Sequence, residues 1–379
     1  MAHTFTITCS LGTEELLVKE LRSLGISRVH PGRGAVRCTG QLKDAYTACL
    51  WSRVGIRVLW QVGRFQGTTP DELYDGLHQL PWHEHIPHDG TLWVDFRGRS
   101  KMIRNEPFGA QKSKDAIVDQ IRARRGSRPD IAKMNPSVRV NIRLQHGLIV
   151  AHIDLSGRAL HERTPGKHIT KAPLKENLAA SLLMLADWPK RTTQGHTFMD
   201  PMCGSGTIVL EAAGMAANLA PGLAREHWGF QGWLMHNQEA WRHLTSEAAD
   251  AGRAEPDNLI YASDMDPEAV AATQRNVTAL GFEEIRIQRL DALEVTRPKG
   301  PPGILVVNPP YGTRLGDEEE LVPLYRSLGD LFKKQFIGWD AFVFCPANQL
   351  SKSVGLKAAR RHVLMNGPLD CRLLHFPIQ

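Results

Sequence analysis

Ile304-Leu305-Val306-Val307 is apolar at every position. A strand of that kind buries both faces, as in a parallel sheet covered by helices on each side. Its surroundings repeat the theme. From Leu174 onward the chain alternates helix and strand patterns: helix 174–185 ended by Asp187-Trp188-Pro189, strand Thr197-Phe198-Met199-Asp200, helix 208–218, strand 259–265, helix 267–280, and strands 285–290, 304–307 and 341–344 before a closing hairpin. This order predicts a doubly wound α/β domain. Residues 219–258, rich in Trp, read as an insertion, with Trp228, Trp233 and Trp241 as its own core rather than a platform for stacking bases.

The first half is made of shorter pieces. Phe5 to Cys9 alternates as a strand does, and Leu16, Leu17, Leu21 and Leu24 fall at helical spacing before Gly25. An extended piece at 29–38, broken by Pro31, Gly32 and Gly34, and a helix at 42–51 complete a small α/β unit. A second unit follows: strand 57–65, a helix opened by Thr69-Pro70-Asp71-Glu72, strand 91–96, and a basic helix 112–125 with Ile117, Val118 and Ile121 inward. A hairpin of 138–144 and 148–155 around His146-Gly147 ends it. These short pieces predict a compact sheet with helices on one face. The expected boundaries are 1–55, 56–157, a polar linker at 158–173, and 174–379.

Charge divides the same way. The net charge of +6 conceals 29 Lys+Arg against 18 Asp+Glu up to Arg191 and 17 against 22 beyond it. The densest window, Arg97 to Arg143, has 13 basic and 4 acidic residues. Such asymmetry points to a polyanion partner for the first half alone. Six cysteines without a Cys-x-x-Cys pair argue against a disulfide framework or a zinc ribbon and suit a reducing cytoplasm. The N-terminus lacks a basic flank with an apolar run, and nothing approaches the roughly 18 apolar residues of a membrane helix. A cytoplasmic location without membrane or metal is expected.

The turn Asp200-Pro201-Met202-Cys203-Gly204-Ser205-Gly206-Thr207 joins a strand to a helix. Its two glycines allow a ligand close to the backbone, and the helix start offers free N–H groups. It is neither a P-loop nor a Gly-x-Gly-x-x-Gly site, and a structural turn would explain it equally well. Asp264 at the end of the next strand is placed to accept from ribose hydroxyls, and Asp291 at the end of the third to meet an adenine amino group. Asp266, before Pro267, reads as a helix N-cap. Three strand ends in a row with ligand-type residues imply a nucleoside.

Asn308-Pro309-Pro310-Tyr311 follows the apolar strand directly. An Asn-Pro-Pro-Tyr string there resembles the signature of S-adenosylmethionine-dependent methyltransferases acting on planar nitrogen. The chemistry fits. An amine conjugated to a ring must localise its lone pair before attack, and the Asn308 side-chain oxygen and Pro309 carbonyl can hold its hydrogens in the required geometry. Tyr311 can stack on a base turned out of its helix, and Pro309 and Pro310 fix the loop. Other candidates read more plainly. Cys345-Pro346 is a buried strand end, Cys203 fills a tight loop, and His83-Glu84-His85 with His88 has no metal-ligand spacing.

The chain as a whole resembles the THUMP-domain RNA guanine methyltransferases, in particular the bacterial 23S ribosomal RNA (guanine-N2) family. Phe108 to Asp119 matches a characteristic THUMP segment. Ala172-Pro173-Leu174-Lys175-Glu176 matches the entry to the catalytic domain, whereas His161-Glu162-Arg163-Thr164-Pro165-Gly166 lacks the family's Gly-Tyr-Arg step. The resemblance implies a ferredoxin-like unit, a THUMP domain and a Rossmann-like seven-stranded methyltransferase domain. It implies methyl transfer to the 2-amino group of one guanosine, with a single modification expected because one such domain is present. Asp200, Pro201, Gly204, Gly206, Thr207, Asp264, Asp291 and Asn308 would hold S-adenosyl-L-methionine. Asn308, Pro309, Pro310 and Tyr311 would hold the base, and Lys112, Lys114, Arg122, Arg124 and Arg125 would contact RNA phosphates. A tRNA guanine enzyme, an adenine-N6 methyltransferase on RNA or DNA, a glutamine methyltransferase of release factors and a non-catalytic RNA-binding protein are the alternatives. No obligate protein partner is implied.

Overall fold

The computed structural model describes residues 2–163, 166–168, 174–311 and 318–379, and the chain forms two compact units. One comprises the chain up to Cys9, Val18–Glu162 and Ala224–Ser246; the other comprises Ser10–Leu17, Arg163–Leu223 and Glu247–Gln379. Within the expected linker and family-entry segments, residues 164–165 and 169–173 lie outside the described residues.

The first unit holds β1 (His3–Thr8), α1 (Glu14–Ser23, shared with the second), β2 (Val29–Gly32), β3 (Ala35–Gly40), α2 (Leu42–Trp51), β4 (Arg57–Gln66), α3 (Pro70–His78), β5 (Thr91–Arg97), α4 (Glu106–Arg125), β6 (Asp130–Ile131), β7 (Val138–Gln145) and β8 (Leu148–Asp154). Their strands make one eight-stranded sheet in the order β2-β3-β1-β4-β8-β7-β5-β6. No sheet boundary falls at 55–56. The ten-residue β4 pairs with β1 through Arg57–Trp60 and with β8 through Leu59–Gln66, so both expected N-terminal pieces share it. Thr69 and Glu72 close a capping box at the start of α3, the device their spacing predicts. α4 begins six residues before the expected basic stretch, capped by the Asn105 side chain accepting from the Phe108 N–H. His146 and Gly147, both at positive φ (+51° and +77°), give the β7–β8 hairpin a turn that matches strand twist.

The Trp-rich segment is not a separate core. Residues 224–246 belong to the first unit, where Phe230 and Trp241 pack on Tyr46 and Trp233 packs on Trp60 and His85. Trp233 Nε1 donates to His85 Nδ1 at 2.9 Å, while His83 pairs with Gln120 and His88 with Asp89. Each ring thus has its own partner.

The second unit contains α5 (Glu176–Leu185), α6 (Trp188–Thr192), β9 (Thr197–Asp200), α7 (Thr207–Ala216), α8 (Gln238–Ala251, begun in the first unit), β10 (Ile260–Asp264), α9 (Pro267–Ala279), β11 (Arg286–Arg289), β12 (Gly303–Val307), α10 (Glu318–Gln335), β13 (Asp340–Pro346), α11 (Gln349–Ser353), β14 (Arg360–Asn366) and β15 (Leu369–Pro377). The seven strands run β11-β10-β9-β12-β13-β15-β14. β9 to β13 are parallel, and β15 and β14 close the edge as an antiparallel pair. β12 buries both faces. Ile304 and Val306 join Leu178, Leu182, Val209 and Phe198 on one side, while Leu305 and Val307 join Tyr325, Leu328, Phe332 and Val343 on the other. Strand order reverses about β9, so its carboxyl end and that of β12 open one crevice. Among the described residues no helix is long and apolar enough to cross a membrane.

Candidate active site

The crevice is built from four strand ends. β9 delivers Asp200, fully buried, with the Met202 N–H donating to its Oδ1 at 3.1 Å. Pro201 is buried behind it, and Gly204 and Gly206 carry the chain through positive φ (+56° and +80°) into α7, whose first residue is Thr207. Gly206 admits no side chain: beyond its backbone conformation, a Cβ would lie 2.8 Å from Thr273 Cγ2. β10 delivers Asp264. Its Oδ2 accepts from the Gly204 N–H (2.9 Å) and its Oδ1 from the Asp266 N–H (3.0 Å), so the carboxylate ties this strand end to the glycine turn. Asp266 caps α9 through the Glu268 N–H, as its place before Pro267 suggests. Asp291, after β11, caps the short 292–294 turn with Oδ1 at 2.9 Å from the Leu293 N–H.

β12 delivers Asn308 through Tyr311. Leu305 pairs with Met199, so Asn308 leaves the sheet three residues past that level, beside the loop after Asp200. Asn308 Oδ1 is buried and has no hydrogen-bond partner among the described residues. The Pro310 carbonyl accepts from Tyr325 at 3.4 Å. Tyr311 is half-buried, edge-on to Phe344, and its hydroxyl accepts from Asn366 Nδ2 at 2.9 Å, which sets the ring's direction.

Four residues outside the sequence-level set shape the turn or the ring beside it. Thr273 Oγ1 donates to the Gly204 carbonyl (2.8 Å), and Asn276 Nδ2 to the Ser205 carbonyl (2.9 Å). Lys167, buried, donates to Thr207 Oγ1 (2.9 Å) and Glu176 (3.0 Å). Asn366 is the fourth. A cue for two of them was present in α9: Thr and Asn three residues apart on the face that also carries the buried Ala269, Ala272 and Val277.

Burial pushes the Asp200 carboxyl up to about 8, and the nearby Asp264 carboxylate adds to the rise. In the unfolded chain the group titrates near about 3.9. The folded state therefore holds the extra proton between those values, and this carboxyl's contribution to stability is complete below the lower one and lost as pH rises through about 8. Asp200→Asn should flatten the fall of the melting midpoint across that window, between about pH 4 and pH 8. Identical pH slopes for variant and parent in differential scanning calorimetry would refute it.

The cations of α4 occupy the first unit. Lys112 meets Asp71 (3.3 Å) over the Tyr74 ring, Lys114 meets Asp115 (3.1 Å), and Arg122 meets Asp119 (3.0 Å), while Arg124 is exposed. Partly exposed pairs of this kind are worth at most about 1 kcal/mol and give way readily to a phosphate. Arg125 is different. Its guanidinium donates to the carbonyls of Ile86 (2.8 Å) and His83, bracing the 82–86 turn instead of facing a ligand. Periodicity could not show that, because those carbonyls arrive from another element.

A parallel sheet reversing about β9, a glycine turn closed by the next strand's carboxylate and an Asn-Pro-Pro-Tyr loop alongside define a Rossmann-like methyltransferase domain. The chain belongs to the family described as RMKL-like, methyltransferase domain, which matches residues 165–375. An RlmL ferredoxin-like domain matches 4–59 and a THUMP domain 67–150. The chain is 42% identical to "Ribosomal RNA large subunit methyltransferase K/L" of Pseudomonas entomophila, covering 98% of this chain and 52% of that protein. It thus spans about half the length of the curated relatives it matches. Among solved structures it is similar to SMU.472 in complex with SAH (28% identity, TM-score 0.88, 100% and 98% of the two chains). It is also similar to a predicted N6-adenine-specific DNA methylase from Listeria monocytogenes (28% identity, TM-score 0.87, 100% and 97%).

Proposed function

We propose that this chain methylates the exocyclic 2-amino group of a guanosine in RNA, with 23S ribosomal RNA as substrate and S-adenosylmethionine as methyl donor. The observation that carries the reading is the buried Asn308 Oδ1 at the mouth of β12, which has no hydrogen-bond partner among the described residues. A buried acceptor without a donor is costly and calls for one from a ligand. An exocyclic amine has two N–H groups to give. The methyl donor fits the crevice: the buried Asp200 carboxyl, held protonated by its burial, ionises more readily beside a positive charge, which suits a cationic ligand, and Asp264 keeps lone pairs for ribose hydroxyls. When bound, S-adenosylmethionine supplies a methyl carbon activated by a sulfonium leaving group.

The chain's own residues then do the steering. Asn308 and the Pro309 carbonyl hold the amine hydrogens so that its lone pair faces the methyl carbon, and their attraction strengthens as the nitrogen becomes positive. Tyr311, held by Asn366, presents its ring to the base. Lys112, Lys114, Arg122 and Arg124 bind phosphates through the THUMP unit, giving affinity with little sequence choice.

The test uses methyl-labelled cofactor with a 23S rRNA transcript, followed by digestion to nucleosides. Label in N2-methylguanosine is the expected result. Label in N6-methyladenosine would transfer the site to the adenine reading, and no incorporation with intact cofactor binding would remove RNA guanosine as the acceptor.

A further inference from the structure

We infer that a basic groove at the β13–β15 side of the second unit holds backbone phosphates of the RNA strand adjoining the target nucleotide. The inference rests on the RNA reading above and adds a contact surface outside the THUMP unit. The groove encloses about 570 Å³ and is lined by Asn348, Gln349, Ser351, Lys352, Arg361 and Arg372. Lys352 comes from α11, directly after β13, and the two arginines come from β14 and β15. Arg361 pairs with Leu374 and Val363 with Arg372, so both guanidiniums rise from the same face of the hairpin.

Register fixes where this lies. Val307 pairs with Val343, Val343 with Leu374 and Cys345 with Arg372. Pro309 therefore stands level with Arg372, two strand spacings away, or roughly 10 Å. The groove opens at the same carboxyl edge as Asn308.

Charge and chemistry select the ligand. Lys352 and Arg361 are exposed and have no ion-pair partner among the described residues. Arg372 is held in a two-pronged pair with Asp370, and Glu318 takes the Asn348 amide, so two of the three cations keep their charge for a ligand. They converge in the half of the chain whose net balance is acidic. Of the other lining residues, Gln349 adds an amide, the Asn348 amide and the Ser351 hydroxyl are engaged by Glu318 and the Asn348 carbonyl, Ala347 and Leu374 are apolar, and there is no aromatic ring. That set grips phosphate oxygens and leaves base recognition to the Asn308 loop.

The test compares the parent chain with the double variant Lys352→Ala/Arg361→Ala, using a fluorescein-labelled single-stranded RNA across a salt series. Two lost phosphate contacts should flatten the slope of log affinity against log salt by about 1.4 and weaken low-salt binding about tenfold. Calorimetric affinity for S-adenosylmethionine should stay within twofold. An unchanged slope in a variant whose parent methylates guanosine would overturn the groove alone. A parent that binds no RNA would overturn the groove together with the reading beneath it.

Discussion

Asn308→Ala is expected to lower turnover by about a thousandfold, the upper range for removing one aimed hydrogen-bonding group from a reacting centre. The cofactor dissociation constant should move by no more than a few fold, because the glycine turn and Asp264 are untouched. Stability gives an independent reading. In the parent, Asn308 Oδ1 is buried without a partner among the described residues. Removing it relieves a desolvation cost of about 1–3 kcal/mol, offset by the small cavity left behind. A variant that melts no lower than the parent while turning over a thousandfold more slowly would show a residue kept for chemistry. Asn308→Asp retains an acceptor oxygen but adds a charge, and should recover part of the rate. If loss of cofactor affinity were instead the main effect in Asn308→Ala, the side chain would belong to the cofactor site and the amine would need another acceptor.

The parts of this molecule that sequence reveals are those whose cause is local. β12 reads from its unbroken apolar run because each face of that strand meets a helical layer. Thr69 and Glu72 announce α3, and Asp266 with Pro267 announces α9, because a cap acts within its own turn. The position of Asp200, Asp264 and Asn308 at the carboxyl ends of β9, β10 and β12 is legible for a related reason: a doubly wound sheet gathers those ends at one edge, and sequence locates them to within a residue or two.

What stayed hidden depends on which distant segments meet. Nothing near residue 55 tells that β4 continues past β1 to pair with β8. Nothing in 224–246 tells that its aromatics complete a core around Tyr46, contributed by a helix far earlier in the chain. Arg125 lies in a run of basic residues that all look alike, and only the arrival of the Ile86 and His83 carbonyls separates it from Arg124. The same holds for Asn366, which touches Tyr311 across 55 positions of sequence. Local propensity is silent about partners of this kind.

Asn276 carries the second large effect, and for the opposite reason to Asn308: every group it offers is in use. Its Oδ1 accepts from the His168 N–H at 2.9 Å, and its Nδ2 donates to the carbonyls of His168 (2.8 Å) and Ser205 (2.9 Å). The side chain is 1% exposed, so no solvent replaces what it supplies. Asn276→Leu, similar in volume, would leave three backbone groups without their partner at a cost of about 1–3 kcal/mol each where no relaxation helps. Allowing for relaxation, a loss of about 3–5 kcal/mol and a melting midpoint lower by about 10 °C is the expected result. The functional consequence should be selective. Ser205 sits between the two glycines of the turn, so freeing its carbonyl loosens the cradle. Cofactor affinity should fall at least tenfold, whereas turnover at saturating cofactor should stay within a few fold, the reverse of the Asn308→Ala pattern. Asn276→Asp sharpens the test. It keeps the acceptor for His168 but sets a carboxylate against two carbonyl oxygens, and it should bind cofactor no better than the leucine variant. Parent-like cofactor affinity in both variants would mean that the turn holds its shape through Asp264 and Thr273 alone.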